Sequence, residues 1–217
     1  MKKRFILFFA VAATIGQTAA KDWEPLFKAD LSNAKYDPAV WSVKDGVLSA
    51  TADKEVWTEK QYQNFVLELE FMTDVATNSG VIVYCTDREN WIPNSVEIQI
   101  ADDYSDNFKN EPGYTNSGAI YGHLAPSATE VVKKPGEWNT YKITCKGQDI
   151  QVVLNGKMVT HMDMKLWTSG KVNPDGSDIP SWLPTPFAEL PTKGYIGLQG
   201  KHGAAKIWFR NMRIKEL

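Results

Sequence analysis

The sequence has little cysteine and little histidine. Two cysteines, Cys85 and Cys145, and three histidines occur in 217 residues. Neither cysteine has a histidine or a basic cluster beside it, so the surroundings that activate a catalytic thiol are missing. Both cysteines lie in strand-like runs, and the sequence leaves open whether they form one disulfide or stay as two free thiols.

A sustained helical pattern is absent after the first 20 residues. Apolar and polar residues instead alternate in short runs such as NFVLELEFM and VEIQIA, which is the period of a β-strand. Asp45-Gly46 and Asn155-Gly156 separate pairs of such runs and are typical of tight hairpin turns. Further predicted strands are SGVIVYC, GAIYGHL, NTYKITCKG, GYIGLQ and KIWFRNMRIKEL. We therefore predict an all-β domain, either a sandwich or a jelly roll.

Only one long apolar run is present, and it lies near the first residue. A basic start, Lys2 to Arg4, precedes an apolar stretch over residues 5–15, and small residues follow. This order is typical of a cleaved secretory signal peptide, with a retained membrane anchor as the alternative. No cysteine lies near the expected cleavage site, so lipid attachment there is not indicated. We predict a signal peptide over residues 1–20 and a single domain over residues 21–217, in a periplasmic or secreted protein.

Positive charge is not in excess. The chain carries 24 Lys and Arg against 26 Asp and Glu, a net charge of −2, and loss of the three basic residues in the signal peptide changes this to −5. That balance argues against nucleic acid or an anionic membrane as a partner. Eight Trp and eight Tyr are present, and in an exported protein such rings either fill the core or face sugars.

The segment NSVEIQIADD has two different faces. Val96, Ile98 and Ile100 share one face of an extended strand, and Glu97 and Gln99 share the other because side chains alternate along a strand. The apolar face is expected in the core. On the residues alone, Glu97 and Gln99 are either ordinary solvent-facing positions or the polar groups of a cleft.

The segment from Asp163 to Thr192 has no strand alternation. It holds five prolines together with Trp167 and Trp182. A loop of this length inside a compact domain is commonly functional. We interpret it either as a rim or lid, with Trp182 meeting the ligand, or as a cover for a sheet edge.

Several motifs occur in order from Trp23 to Leu217. They are WEPLF, WSVKDGVLSA, NSGVIV, VEIQIAD, SGAIYG, PGEWNTYKI, GYIGLQGKHG and WFRNMRIKEL. Together they resemble the 3-keto-disaccharide hydrolase domain family. The resemblance implies a concanavalin A-like fold, a jelly-roll sandwich of two curved antiparallel sheets with sugar bound across the concave one. It also implies an exported bacterial enzyme that acts on sugars oxidised at carbon 3.

A ketone at carbon 3 acidifies the proton on carbon 2. A base that removes this proton forms an enolate, which expels the group on carbon 1, and addition of water then completes a net hydrolysis. This route needs a base, a donor to the enolate oxygen and an acid near the leaving oxygen. By analogy with the family we predict Glu97 as the base, because a closed cleft raises the pKa of a carboxyl, with Gln99 as a positioning group.

The motif GLQGKHG supplies the other predicted catalytic residues. His202 is expected to shuttle a proton near neutral pH, and Lys201 to stabilise the enolate or ketone oxygen. Simple exposure on a loop is the alternative for His202.

Substrate contacts are predicted at six positions: Gln99, Asn78, Tyr121, Arg88, Trp182 and Asp102. For Asn78 and Tyr121 the alternatives are turn formation and core packing. Members of the family carry an arginine shortly after the NSG motif, where this chain has Tyr84, and Arg88 is the candidate substitute.

No obligatory cofactor is predicted. The sequence holds neither an EF-hand loop nor a histidine pair at ligand spacing, and a divalent cation held by residues of distant strands is the alternative that spacing leaves open. The predicted partner is a glycoside or oligosaccharide. Two other functions remain open: a non-catalytic carbohydrate-binding module, and a conventional glycosidase whose second carboxylate comes from Glu68 or Glu70.

Overall fold

The computed structural model describes residues 22–217. The predicted signal peptide lies outside the described residues. Within them the only helical segments are short 3₁₀ turns at Ile92–Asn94, Gly113–Thr115, Met164–Leu166 and Phe187–Glu189, and no helix is long and apolar enough to cross a membrane. The strands are β1 (Glu24–Pro25), β2 (Ala34–Lys35), β3 (Trp41–Lys44), β4 (Val47–Ala50), β5 (Val56–Thr58), β6 (Phe65–Thr73), β7 (Asn78–Cys85), β8 (Val96–Ala101), β9 (Trp138–Lys146), β10 (Asp149–Leu154), β11 (Lys157–Asp163), β12 (Tyr195–Leu198) and β13 (Ile207–Glu216).

These strands form two antiparallel sheets, and the all-β prediction is confirmed. The eight-stranded sheet has the order β11-β10-β9-β6-β13-β4-β3, with β1 paired to β13, and the five-stranded sheet has the order β2-β5-β12-β7-β8. Many neighbouring strands are far apart in sequence, as when β13 pairs with β6. The chain therefore passes repeatedly from one sheet to the other, which is the sandwich arrangement.

The apolar core lies between the two sheets, where the alternation of the sequence placed it. Both inward faces are buried and belong to one core cluster: Phe65, Leu67, Leu69 and Phe71 in β6, and Val96, Ile98 and Ile100 in β8. The predicted faces of these two strands are confirmed. Glu97 consequently lies on the outer face of the five-stranded sheet.

Two hairpins have the predicted turns. Asp45 and Gly46 have φ of 53° and 76° between β3 and β4, and Asn155 and Gly156 have φ of 49° and 81° between β10 and β11. Two consecutive left-handed residues match the twist of the flanking strands, which is why these residue pairs occur there.

The predicted strand GAIYGHL is wrong. Its residues make isolated bridges only, from Ile120 to Ile98 and to Leu124, because Gly118 and Gly122 take φ of 90° and 72° and bend the chain. The segment still covers the free edge of β8, where the amide of Gly118 donates to the carbonyl of Gln99 at 3.0 Å.

The described cysteines are both free and buried. Cys85 lies in β7 of the five-stranded sheet and Cys145 in β9 of the eight-stranded sheet. Burial raises the pKa of the Cys85 thiol to about 12 and also raises that of Cys145. Both thiols are therefore protonated and structural.

A buried hydrogen bond ties the two sheets together behind the polar face of β8. The hydroxyl of Tyr141, on β9, donates to the carbonyl of Gln99 at 2.6 Å, and Tyr141 is 1% exposed. Since neither group reaches water, this bond holds β8 of one sheet at a fixed distance from β9 of the other.

We expect Tyr141→Phe to lower the free energy of unfolding by about 1 to 2 kcal/mol, because a buried carbonyl loses a partner while packing is kept. Denaturant unfolding measures the change. Tyr104→Phe is the matched control, since the hydroxyl of Tyr104 also donates to a carbonyl but its side chain is exposed. An equal loss in both variants would contradict the role assigned to the inter-sheet bond.

Candidate active site

A cleft of ≈ 270 Å³ opens on the outer face of the five-stranded sheet. It brings together six of the nine residues predicted from the sequence: Glu97, Gln99, Asn78, Tyr121, Trp182 and His202. Five lining residues were not predicted: Asp53, Glu55, Trp91, Ile92 and Gln199.

Glu97 lies across the neighbouring strand because that strand has a glycine at the crossing point. A Cβ added at Gly80 in β7 would lie 2.2 Å from Oε1 of Glu97, well inside van der Waals contact. Any larger residue would push the carboxyl off the sheet. Gly80 therefore determines where the predicted base lies.

An apolar cluster surrounds this part of the sheet. Ile82 is paired with Glu97 across the β7–β8 ladder and packs with Trp57 and Trp91. The ring of Trp57 lies over Gly197, where a Cβ would come within 2.5 Å of the ring. Through Ile82, this cluster lies next to Glu97 on the outer face of the sheet.

The pKa of Glu97 is raised to about 8, first by burial and then by the negative charges of Glu55 and Asp53. The pKa of Glu55 is also raised by burial, although the indole of Trp91 donates to its Oε1 at 3.0 Å. A carboxyl that titrates near neutral pH can both accept and return a proton under working conditions.

His202, which lines the same cleft as Glu97, is held by backbone and side-chain contacts. Its backbone bridges to Asn78, and the amide of the preceding Lys201 donates to the carbonyl of Ala52 at 3.0 Å. The ring Nδ1 lies 2.6 Å from Oδ2 of Asp53. A carboxylate at Nδ1 favours the tautomer with hydrogen on that nitrogen.

The remaining polar groups form a fixed lining. The side-chain amide of Gln99 donates to Oδ1 of Asn78 at 2.9 Å, and Gln99 is 1% exposed. The backbone amide of Tyr121 donates to the carbonyl of Glu97 at 3.0 Å. Burial, and next the charge of Glu97, raise the pKa of Tyr121, so its hydroxyl stays neutral and can donate a hydrogen bond.

Trp182 reaches the cleft from the long segment after β11. It is 56% exposed, whereas Trp167, Leu183 and Phe187 of the same segment are buried. Leu183 packs closely over Gly122. The segment is therefore anchored on its inner side and presents one ring at the rim, as the rim interpretation predicted.

Three predicted site residues do not line the cleft: Lys201, Arg88 and Asp102. The guanidinium of Arg88 stacks over the Tyr195 ring at 4.2 Å. The Asp102 carboxylate is buried and accepts from the amides of Ala76 and Tyr104, which is a turn-forming role. These placements give no support to the substrate contacts predicted for Arg88 and Asp102, or to contact by Lys201.

Neither Glu68 nor Glu70 can supply the second carboxylate of the conventional-glycosidase alternative. Both residues face outward from β6 in the eight-stranded sheet, where they pair with Arg213 and Arg210. They lie on the opposite side of the sandwich from Glu97. The carboxyls that share the cleft with Glu97 are Asp53 and Glu55.

Three of the five cleft residues that were not predicted follow a pattern in the sequence. Asp53 and Glu55 alternate with Trp57 at the period of a strand, as Glu97 and Gln99 do, and Gln199 lies inside the motif GLQGKHG. Trp91 and Ile92 follow no pattern. Among residues 22–217, no group of three or more His, Cys, Asp and Glu side chains is arranged to hold a metal ion, so the divalent-cation alternative has no ligand cluster there.

The chain is similar to known proteins in sequence and in fold. The family described as 3-keto-alpha-glucoside-1,2-lyase-like domain matches residues 17–215. A crystal structure from Parabacteroides distasonis ATCC 8503, named as an inferred glycosyl hydrolase, is 64% identical, with a TM-score of 0.89 over 90% of this chain and 100% of that one. No curated protein matches the chain.

More distant structures share the fold. A second inferred glycosyl hydrolase of Parabacteroides distasonis ATCC 8503 is 23% identical, with a TM-score of 0.72 over 90% of this chain and 94% of that one. A Bacillus subtilis protein of unknown function with a galectin-like fold is 13% identical, with a TM-score of 0.53 over 91% and 96%. At these identities the likeness concerns the sandwich architecture alone.

The raised pKa of Glu97 has a consequence for stability. Between the ordinary value of 4.5 and about 8, the folded chain keeps a proton that the unfolded chain has released, so stability falls as the pH rises through that range. Glu97→Gln stays neutral and avoids this loss. We expect the variant to be more stable than wild type near pH 9 by roughly 2 to 4 kcal/mol, and similar near pH 4, in urea unfolding. If the free energies of unfolding of the variant and the wild type differed by the same amount near pH 4 and near pH 9, the raised pKa of Glu97 would be contradicted.

Proposed function

The chain belongs to the 3-keto-alpha-glucoside-1,2-lyase-like domain family, and we propose that it is an enzyme that cleaves the glycosidic bond of 3-keto-glycosides. Membership of this family confirms the resemblance found in the motifs and makes the protein carbohydrate-related. The observation that carries the finer proposal is the Glu97 carboxyl, with a pKa near 8, in one cleft with His202 and Asp53.

Glu97 begins the proposed reaction. Its carboxylate removes the proton on carbon 2, and the electron pair of that C–H bond forms the enolate of the carbon 3 ketone. When the enolate collapses, a double bond forms between carbons 1 and 2, and the glycosidic C–O bond breaks. The leaving oxygen takes that bond's electrons and a proton, giving a free alcohol and an unsaturated keto sugar. Addition of water to the double bond completes a net hydrolysis.

The environment of Glu97 suits this step. A general base works best when its pKa lies near the working pH, because it is then both sufficiently basic and sufficiently deprotonated. Burial beside Ile82 and repulsion from Glu55 raise the pKa in this direction. An ordinary exposed carboxyl is a much weaker base.

Other residues of the cleft can supply the donor to the enolate oxygen and the contacts to the sugar. We assign donation to the enolate oxygen to the neutral hydroxyl of Tyr121, which lines the cleft, whereas Lys201, for which that role was predicted, does not line it. Gln99 and Asn78, already bonded to each other, present fixed groups to sugar hydroxyls. Trp182 at the rim offers an aromatic face for a sugar ring.

A chromogenic 3-keto-glucoside tests the function. We expect rapid release of the chromophore from the keto substrate, and none from the same glucoside without the ketone. Because only the deprotonated base is active, kcat/KM should rise with pH and level off above about 8. Glu97→Gln should lower kcat by about 10² to 10⁴.

Glu68→Gln is the matched control, since that carboxyl lies on the opposite sheet, and it should keep full activity. Equal release from both glucosides would indicate a conventional glycosidase instead. No release from either would leave a carbohydrate-binding module. Full activity in Glu97→Gln would remove Glu97 as the base.

We also propose that the protein acts in the periplasm or outside the cell, on the basis of the basic and apolar order of its first 20 residues. N-terminal sequencing of the protein recovered from cell fractions tests this. We expect a mature chain that begins at Lys21 in the exported fraction. Full-length protein in the cytoplasmic fraction would contradict it.

A further inference from the structure

The cleft contains a histidine–aspartate pair that the proton removal at carbon 2 leaves unused. Nδ1 of His202 lies 2.6 Å from Oδ2 of Asp53, and both residues line the cleft with Glu97. An Asp that accepts from Nδ1–H holds the ring in one orientation, leaves Nε2 for another partner and stabilises the protonated imidazolium. Asp53 thus fixes which nitrogen of His202 can reach a ligand.

The chain holds a second His–Asp pair with the opposite arrangement. On the eight-stranded sheet, His161 contacts Asp149 through Nε2, at 2.5 Å. This pair joins neighbouring strands β10 and β11 and does not line the cleft. The two pairs have similar exposure, so the second serves as an internal reference.

We propose that Asp53 is a positioning residue that presents Nε2 of His202 to the cleft as the proton donor to the leaving glycosidic oxygen. This inference rests on the proposed function. Glu97 serves as the base and Glu55 is bonded to the indole of Trp91. His202, whose Nδ1 is engaged by Asp53, is therefore the group we assign to proton donation through Nε2.

One proton passes from His202 to the leaving oxygen in this step. As the bond between carbon 1 and the glycosidic oxygen breaks, its electron pair goes to the oxygen, which takes the proton from Nε2 of the imidazolium. The ring is left neutral with its hydrogen on Nδ1, still bonded to Asp53. Glu97 holds the proton from carbon 2. Solvent reprotonates the ring and takes the proton from Glu97 before the next turnover, so no oxidant or reductant is needed.

The leaving-group dependence of Asp53→Asn tests the proposal. An alkoxide is a poor leaving group and needs the proton, whereas a nitrophenolate departs without it. We therefore expect kcat on a methyl 3-keto-glucoside to fall about 10²-fold, with little change on the nitrophenyl 3-keto-glucoside. Asp149→Asn should leave both rates unchanged. His202→Gln should show the same selective loss, and the double variant should lose no more.

A merely structural role for Asp53 would lower both rates alike, and that result would overturn the proposal. So would unchanged rates in Asp53→Asn on both substrates.

Nitrogen-15 NMR of the imidazole rings tests the geometry without turnover. In the wild-type protein, when the imidazole rings are neutral, His202 should carry its hydrogen on Nδ1 and His161 should carry its hydrogen on Nε2. Asp53→Asn should shift His202 toward the Nε2 form and leave His161 as it is. If the wild-type protein cleaves neither keto substrate, the proposed function fails, yet this measurement still decides whether Asp53 orients the ring. A wild-type His202 with its hydrogen on Nε2 would overturn the proposal.

Discussion

The close approach of the Glu97 carboxyl to the backbone of β7 is the constraint on which the site depends. Gly80 supplies the space, since a Cβ there would lie 2.2 Å from Oε1. Gly197 does the same for the ring of Trp57, which packs with Ile82 beside the carboxyl. Two missing side chains on one sheet face thus let a carboxyl lie against an apolar surface, and this raises its pKa.

The two outer faces of the sandwich surround their carboxylates with opposite charges. On the eight-stranded sheet, Glu68 and Glu70 are paired with Arg213 and Arg210, and hydrogen bonds from Arg210 and Asn211 keep the pKa of Glu70 low despite some burial. On the five-stranded sheet, Glu97 has carboxyl neighbours instead. Opposite charges stabilise a carboxylate and like charges oppose it, so the second face holds a carboxyl whose pKa is raised to about 8.

The strands were predictable because alternation is a local property, and β6, β8 and the two Asx-Gly hairpins appear as expected. The same alternation tells which face a side chain takes but not which sheet its strand joins, so the alternative that paired Glu68 or Glu70 with Glu97 could be excluded only from the structure. GAIYGHL has the composition of a strand, but the left-handed conformations of Gly118 and Gly122, which bend the chain there, cannot be predicted from that composition. The partnership of Asp53 with His202 spans 149 positions, and no local pattern contains it.

Different interactions determine the pKa of Glu97 and the tautomer of His202, the two groups proposed to transfer protons. Burial disfavours the charged form of Glu97 and so raises the pKa of its carboxyl, whereas the Asp53 carboxylate at Nδ1 fixes the tautomer of His202. An elimination needs proton removal at carbon 2 and proton delivery at the oxygen on carbon 1, which are adjacent atoms of one ring. Two groups held in one cleft can meet both needs of the elimination, because one accepts a proton while the other donates one.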